Sequence, residues 1–583
     1  MIYRLLLPLL RQFGPRLAPV GRSITGAGAL LLAVSSFLPW ADFAGFPGKM
    51  TLSGYPGGAR LYVLLLALPA LTLLSPVAGR ARALRAAAEF EFFVVLLTVF
   101  FISYAGGGFV NAGIGVYPAI AGGMLFVLGA EALNVEPERN AEAMSLPEAS
   151  WRFPVEAVLV AGAAGLGLWL FVIGLGIKES RVAQEPDFLL GPLSLNDVAN
   201  SGQFLAFVVT LAGLAVVAGR LGLLASLSVM TGRHPKLFVA AGFIAAAAFP
   251  FTQNGSGESL SIAARIGVFA AAAVGLNIVV GLAGLLDLGY IAFFGVGAYF
   301  AALVSGSMTS VTGVHLPFAL TIVLGALVSG IFGILLGAPT LRLRGDYLAI
   351  VTLGFGEIFR ITVQNLDGSA GPSLTNGPNG VSNIPDLAIG SYNFGANQTI
   401  FGIDLSFQTS YYWLEILLLA FVMTAFLRLS ESRIGRAWVA IREDELAAAA
   451  TGINTTRLKL LAFALGATLA GAAGTVDAHV VKVATPDSFT FIESATLLAA
   501  IILGGMGTVP GALLGASVLY LLPEKLRFLH DLRLLVFGIA LVLIMRLRPE
   551  GLVPNKRRQR EFHEDSGRPD ALSAPPGHGE SMV

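Results

Sequence analysis

Glu357 and Arg360 lie inside an apolar run at 347–365, and their i, i+3 spacing puts both side chains on one helix face. Ionisable residues within a membrane span pair with one another or mark a route for polar cargo. On sequence alone both readings stand: a mutually neutralised pair at a helix interface, or part of a translocation path. Asp287 falls where two apolar runs meet, as a cap or loop residue, while Asp477 and Glu493 fall near the outer ends of runs and within reach of water. The other concentration of charge is SRIGRAWVAIREDELAAAATGINTTRLK at Ser432–Lys459, a water-soluble island between long apolar stretches. Its residue types suit docking to a soluble partner rather than catalysis. No G-x-x-x-x-G-K-[ST] loop is present to cradle nucleotide phosphates, so no nucleotide site of that kind is read in this chain. H-E-x-x-H and G-x-S-x-G are also missing, and the 6 histidines are scattered singly, so neither a catalytic set nor a metal site is read.

The elements that position these groups follow from composition. With 55% hydrophobic residues, 13% charged residues and a mean hydropathy of +0.77, the chain reads as a polytopic membrane protein. Runs long enough to span a bilayer as helices recur near 23–40, 61–76, 88–105, 110–130, 154–176, 202–219, 237–252, 262–284, 286–305, 316–339, 347–365, 411–429, 458–480, 489–507, 510–523 and 532–547. They are continuous rather than alternating, which excludes a β-barrel. Sixteen runs would put both termini on one side. Placing that side in the cytoplasm gathers Arg4, Arg11, Arg16, Arg80, Arg82, Arg85, Arg220, Arg233, Lys236, Arg342, Arg344, Arg433, Arg436, Arg442, Lys556, Arg557 and Arg558 inside. The long segment 366–410, which contains no Lys or Arg, then lies outside, whereas Lys525 and Arg527 disagree with the assignment. The N-terminus, interrupted by Arg11 and Arg16, is expected to be a retained interfacial helix rather than a cleaved signal. With 0 cysteines there is no thiol chemistry.

Within the island the helix formers AWVAIREDELAAAA predict one short helix from about Arg436 to Ala450, stopped by Gly452. A helical wheel aligns Trp438, Ile441, Glu445 and Ala448 in a stripe beside the acidic Glu443 and Asp444. Such a helix can enter a groove of a soluble protein or rest on the bilayer, and the acidic cluster favours the protein. From Ile262 onward glycine is dense, which fits either close helix packing or helices broken at membrane depth along a path. The segment 366–410 is too long for a plain connector and reads as a receiving surface or a structured cap.

The island, with its pattern GRAxxAIREDExAAxxxGIN, resembles the cytoplasmic coupling loop of LivM-type permeases, the membrane subunits of branched-chain amino acid ABC importers. Four further stretches carry the resemblance in matching order: GLNIVVGLAGLLDLGYIAFFGVGAYFAAL (275–303), LRLRGDYLAIVTLGFGEIFR (341–360), LTNGPNGV (374–381), and LGGMGTVPGALLGA with RPEGLVP (503–516, 548–554). The fold it implies is an all-α polytopic type II ABC importer permease, with the core at 261–554. Residues 1–260 are then an additional N-terminal transmembrane bundle of about seven helices, and 555–583 a disordered cytoplasmic tail. The resemblance implies a bacterial inner-membrane subunit forming half of a path for branched-chain or other hydrophobic amino acids. Its implied partners are a second, LivH-like permease, two LivG- and LivF-like ATPases that bind the ATP and magnesium, an extracytoplasmic binding protein and membrane lipid, with no nucleic acid. It assigns ATPase docking to Arg436, Trp438, Ile441, Arg442, Glu443, Asp444, Glu445, Ala448 and Gly452. Candidates for the path are Asn277, Gly295, Gly297, Glu357, Arg360, Gly504, Gly505 and Gly507. Urea or short amides are alternative cargoes, and an autonomous ion-coupled transporter is the alternative mechanism.

Overall fold

The computed structural model describes residues 20–38, 40, 58–74, 80–105, 113–134, 153–176, 195–223, 227, 230, 233–252, 257–307, 313–340, 346–369, 372–389, 392–400, 403–525, 538, 542 and 551–553. The expected N-terminal interfacial helix, Arg342 and Arg344, the run 532–547 and the tail 555–583 lie outside this set, apart from isolated positions in the run. The chain is an all-α polytopic membrane protein. Eight described helices are long and apolar enough to cross a membrane, with five shorter apolar ones, against the sixteen expected runs. Part of the difference is that the run 532–547 lies outside the described residues. Helix breaks shorten two others: the run at 61–76 becomes an α-helix followed by a 3-10 segment, and the run at 286–305 gives up its first residues to a connector.

The chain divides into two compact units, Met1–Gln253 with Lys525–His530, and Asn254–Glu524 with Asp531–Val583. The first contains α1 (Gly21–Ser35), α2 (Gly58–Ala67), α3 (Arg80–Ala105), α4 (Val116–Asn134), α5 (Phe153–Gly176), α6 (Leu195–Arg220) and α7 (Pro235–Ala248). α1 packs on α4, α3 on α6 and α5 on α7. The last pair is tied by Glu156, which takes Arg233 at 3.0 Å and His234 at 2.8 Å.

The second unit contains α8 (Gly257–Asn277), α9 (Ile291–Val304), α10 (Phe318–Thr340), α11 (Asp346–Asn365), α12 (Gln408–Glu431), α13 (Arg433–Glu443), α14 (Glu445–Ala450), α15 (Thr455–Val481), α16 (Phe491–Gly504) and α17 (Val509–Lys525). α15 is the central helix, flanked by α8, α9 and α10. Its buried face is made of small residues, including Ala467, Ala470, Gly471, Ala473 and Gly474. Where lipid tails are as apolar as the side chains, such faces associate by close van der Waals contact. At the α9 crossing a Cβ on Gly297 would overlap the Gly471 carbonyl. Gly297 is therefore a packing contact, with its lost side chain facing the neighbouring backbone.

Segment 366–410 is a structured cap of three small two-stranded pairs. β1 (Val381–Ser382) pairs with β6 (Val483–Ala484), which follows α15; β2 (Ala388–Ile389) pairs with β3 (Tyr392–Asn393), and β4 (Gln398–Ile400) with β5 (Ile403–Leu405). Asp386 fastens the cap, accepting from Tyr411 Oη at 2.7 Å and Lys482 Nζ at 2.7 Å. Burial raises its carboxyl, and these two partners outweigh that effect and hold it below the usual range. Thr375 of the LTNGPNGV motif bonds the Val363 carbonyl at 2.5 Å, so the motif closes the end of α11.

Candidate functional site

The island forms two helices, correcting the single helix expected at 436–450. Asp444 leaves helical geometry (φ −153°, ψ 108°), and its carboxylate accepts from Leu446 N at 2.8 Å and Ala447 N at 3.0 Å, capping α14. A short acidic side chain offers the backbone this alternative, and here it overrides a run of helix formers. At the other end Gly452 stops α14 with φ +90° and has open space where a side chain would be.

The seating of the pair also corrects the expected docking stripe. Trp438, Ile441 and Ala448 are buried against the chain's own helices. Trp438 donates from Nε1 to the Leu458 carbonyl at 2.7 Å, and Glu445 pairs with the buried Lys459 at 2.6 Å. A wheel groups residues on one face without saying which way that face turns. The surface left outward holds Arg433, Arg436, Glu443, Asp444, Ala447, Ala449, Ala450 and Gly452 around Leu446, which is 68% exposed. Leu446 was not anticipated, although an isolated leucine among alanines in a charged loop is a readable signal.

Beneath α13 lies a break in the membrane helices. α8 ends at Asn277, a π-turn runs over Ile278–Leu282, and a non-helical connector leads to α9. Arg442 reaches from α13 to this break: its Nη1 donates to the Gly281 carbonyl at 2.7 Å, while Nη2 holds Glu443 at 2.6 Å. Gly284 has φ +71°, and a Cβ there would overlap the Arg442 stem, so glycine is needed for both reasons. Asp287 in the connector is fully buried, with Oδ1 accepting from Gly289 N at 2.9 Å. Burial pushes its carboxyl up to about 6, against the opposing pull of that amide.

Asn277 ties the same break to the loop between α16 and α17. It is fully buried, accepts from Gly507 N at 2.8 Å and donates to the Thr508 carbonyl at 3.0 Å. That loop turns through Gly505 (φ +121°) and Gly507 (φ +78°), while Gly504 packs against the Gly511 carbonyl. Leu552 and Val553 donate backbone N–H groups to the carbonyls of Leu503 and Gly504, each at 2.8 Å. Asn277, Gly504, Gly505 and Gly507, expected along a path, thus form one node with Arg442, built from three distant stretches of sequence. Arg442 thus ties α13 to the α8–α9 break, and Asn277 ties that break to the α16–α17 loop.

Gly295, Glu357 and Arg360 sit elsewhere. Arg360 donates to Glu357 Oε1 from Nε at 3.0 Å and also from Nη2, a pairing that the i, i+3 spacing allows. Gly295 makes room for Phe359, whose ring edge would stand 2.5 Å from a Cβ there. A separate polar cluster was not singled out from sequence: Glu415 on α12 is fully buried with neither oxygen hydrogen-bonded, and it interacts electrostatically with Arg265 on α8 and Asp477 on α15. Asp477, expected at water, has a buried Oδ1 without a hydrogen bond. The signal for this cluster was an ionisable residue inside each of three apolar runs, Arg265, Glu415 and Asp477.

Residues 259–545 match the family model of the branched-chain amino acid transport system permease component. The high-affinity branched-chain amino acid transport system permease protein LivM of Salmonella typhimurium is 42% identical over 337 residues, covering 56% of this chain and 76% of that protein. The chain belongs to this permease family. LivM of Escherichia coli K12 is 39% identical over 360 residues, covering 60% of this chain and 81% of that one. LivH of Salmonella typhimurium, another permease protein of that system, is 25% identical over 290 residues, 91% of its length. No solved structure matches. As a member of this family the chain is a transport subunit rather than an enzyme.

Proposed function

We propose that this chain is one of two permease subunits of an ABC importer for branched-chain or other hydrophobic amino acids. The carrying observation is α13–α14, a broken helix fastened to the helix break by Arg442 and to α15 by Trp438 and Lys459, with Leu446 turned outward. The names of the LivM and LivH relatives support the cargo, and similarity to both supports a partner permease of related fold.

ATP and magnesium bind to separate ATPase subunits, which grip the exposed surface around Leu446. A soluble binding protein delivers cargo to the cap at 366–410, outside a bacterial inner membrane, and both termini lie in the cytoplasm. Closure of the ATPases moves α13, and the node passes that motion to the helices around the path. Such coupling works because the docked contact differs between two states of the permease.

The test is leucine uptake by proteoliposomes holding the complex purified gently from its native membrane together with its binding protein. The proposal expects uptake that requires internal ATP and persists when ion gradients are collapsed. Uptake by this chain alone, driven by an ion gradient, would overturn it.

A further inference from the structure

We propose that Arg360, Asp487 and Glu357 form a recognition station for the zwitterionic head group of an α-amino acid, beside an apolar wall that meets its side chain. The proposal rests on the transport reading above for the identity of the cargo.

The pair Glu357–Arg360 lies well inside the apolar run of α11, yet the two side chains keep 41% and 24% of their surface exposed in this chain. Charged groups at such depth face a water-filled cavity or another protein surface rather than hydrocarbon. Arg360 spends Nε and Nη2 on Glu357, while Nη1 points toward Asp487 Oδ1 at 3.8 Å, within ionic reach but beyond a hydrogen bond. Asp487 sits on the 3-10 turn Pro486–Phe489 with its side chain 82% exposed.

Behind these charges lies an aromatic cluster. Tyr299 packs its ring on Phe359 at 6.1 Å and on Phe489 at 5.8 Å, and those two rings lie 6.2 Å apart. The Tyr299 hydroxyl is buried without a hydrogen-bond partner and interacts electrostatically with Asp487. Ile358 and Ile361 on α11, with Phe491 and Ile492 at the start of α16, are exposed on elements that pack against this turn.

An amino acid carries a carboxylate and an ammonium on one carbon. The carboxylate takes the unused Nη1 edge of Arg360, and the ammonium takes Asp487 with help from Glu357. The cargo is net neutral, so the station gains two charge-assisted hydrogen bonds without changing its own charge. It widens an ion pair that is already loose, which suits brief binding and quick release. An uncharged amide can hydrogen-bond to both groups but brings no opposite charge to either, so it gains less.

The experiment measures ATP-driven leucine uptake by the reconstituted complex for wild type, Asp487→Asn, Asp487→Glu and Arg360→Gln. Apparent Tm and recovery of the partner subunits verify folding. Loss of one charge-assisted bond predicts that Asp487→Asn and Arg360→Gln lower uptake per ATP by about tenfold, while Asp487→Glu keeps most of it. Asp487 is exposed, so a folding defect will not imitate this result. Uptake by Asp487→Asn within about twofold of a leucine-transporting wild type would overturn the station and leave the transport reading standing, since a used bond is worth more than that. A wild type that moves urea or a short amide but no leucine would overturn the cargo and the station together.

Discussion

Arg442→Met is the perturbation that isolates the link between the docking helices and the membrane break. Methionine keeps an apolar stem of similar reach over Gly284 and removes the guanidinium that donates to the Gly281 carbonyl at 2.7 Å. A hydrogen bond from a charged donor is worth about 1.5–3 kcal/mol. The side chain is 26% exposed, which argues for the lower end of that range. Its pairing with Glu443, itself 54% exposed, adds roughly 0–1 kcal/mol at most. A loss of about 1.4 kcal/mol in the coupled state corresponds to about a tenfold change. The assay reads leucine uptake and ATP hydrolysis on the same reconstituted complex. Uptake per ATP is expected to fall about tenfold while hydrolysis stays within about twofold, because the surface around Leu446, the proposed ATPase contact, is untouched. Unchanged uptake per ATP in a folded Arg442→Met complex would refute the link, since the bond would then be equal in both states or unused.

Gly284→Ala acts on the same contact from the other side. Its left-handed backbone (φ +71°) costs an L-residue about 1–2 kcal/mol, and the added methyl displaces Arg442. The single variant is expected to uncouple like Arg442→Met, and the double variant to be little worse than either, the signature of a shared contact in a double-mutant cycle. Additive losses would show that the two residues act separately. Asp287→Asn probes the buried connector through pH. A carboxyl whose folded pKa is raised to about 6 binds more protons in the native state, so stability falls as pH rises from about 4 through 6. The variant is expected to have a higher apparent Tm than wild type at pH 8 and a similar one at pH 4. Equal pH dependence in both proteins would contradict that assignment.

Local features were legible in the sequence wherever their cause is local. The i, i+3 pair Glu357–Arg360, the helix stop at Gly452 and the apolar runs all follow from spacing and propensity. Direction and distance were not legible. Trp438, Ile441 and Ala448 share a helical stripe in sequence, but only the position of Leu458 and the helix break shows that the stripe turns inward. Asn277 meets Gly507 across a separation of 230 residues, which no periodicity encodes. Asp444 caps α14 by its side chain, but within a run of helix formers nothing local marks the break. Asp487 joins Arg360 only because β6 and its turn fold back beside α11.

The central claim is that the surface around Leu446 is held by an ATPase. A photo-crosslinking amino acid at position 446, activated in native membranes, tests it most directly, with mass spectrometry identifying what becomes attached. The account predicts attachment to a soluble subunit carrying a G-x-x-x-x-G-K-[ST] phosphate loop. Attachment to lipid alone, in membranes where uptake is active, would contradict it.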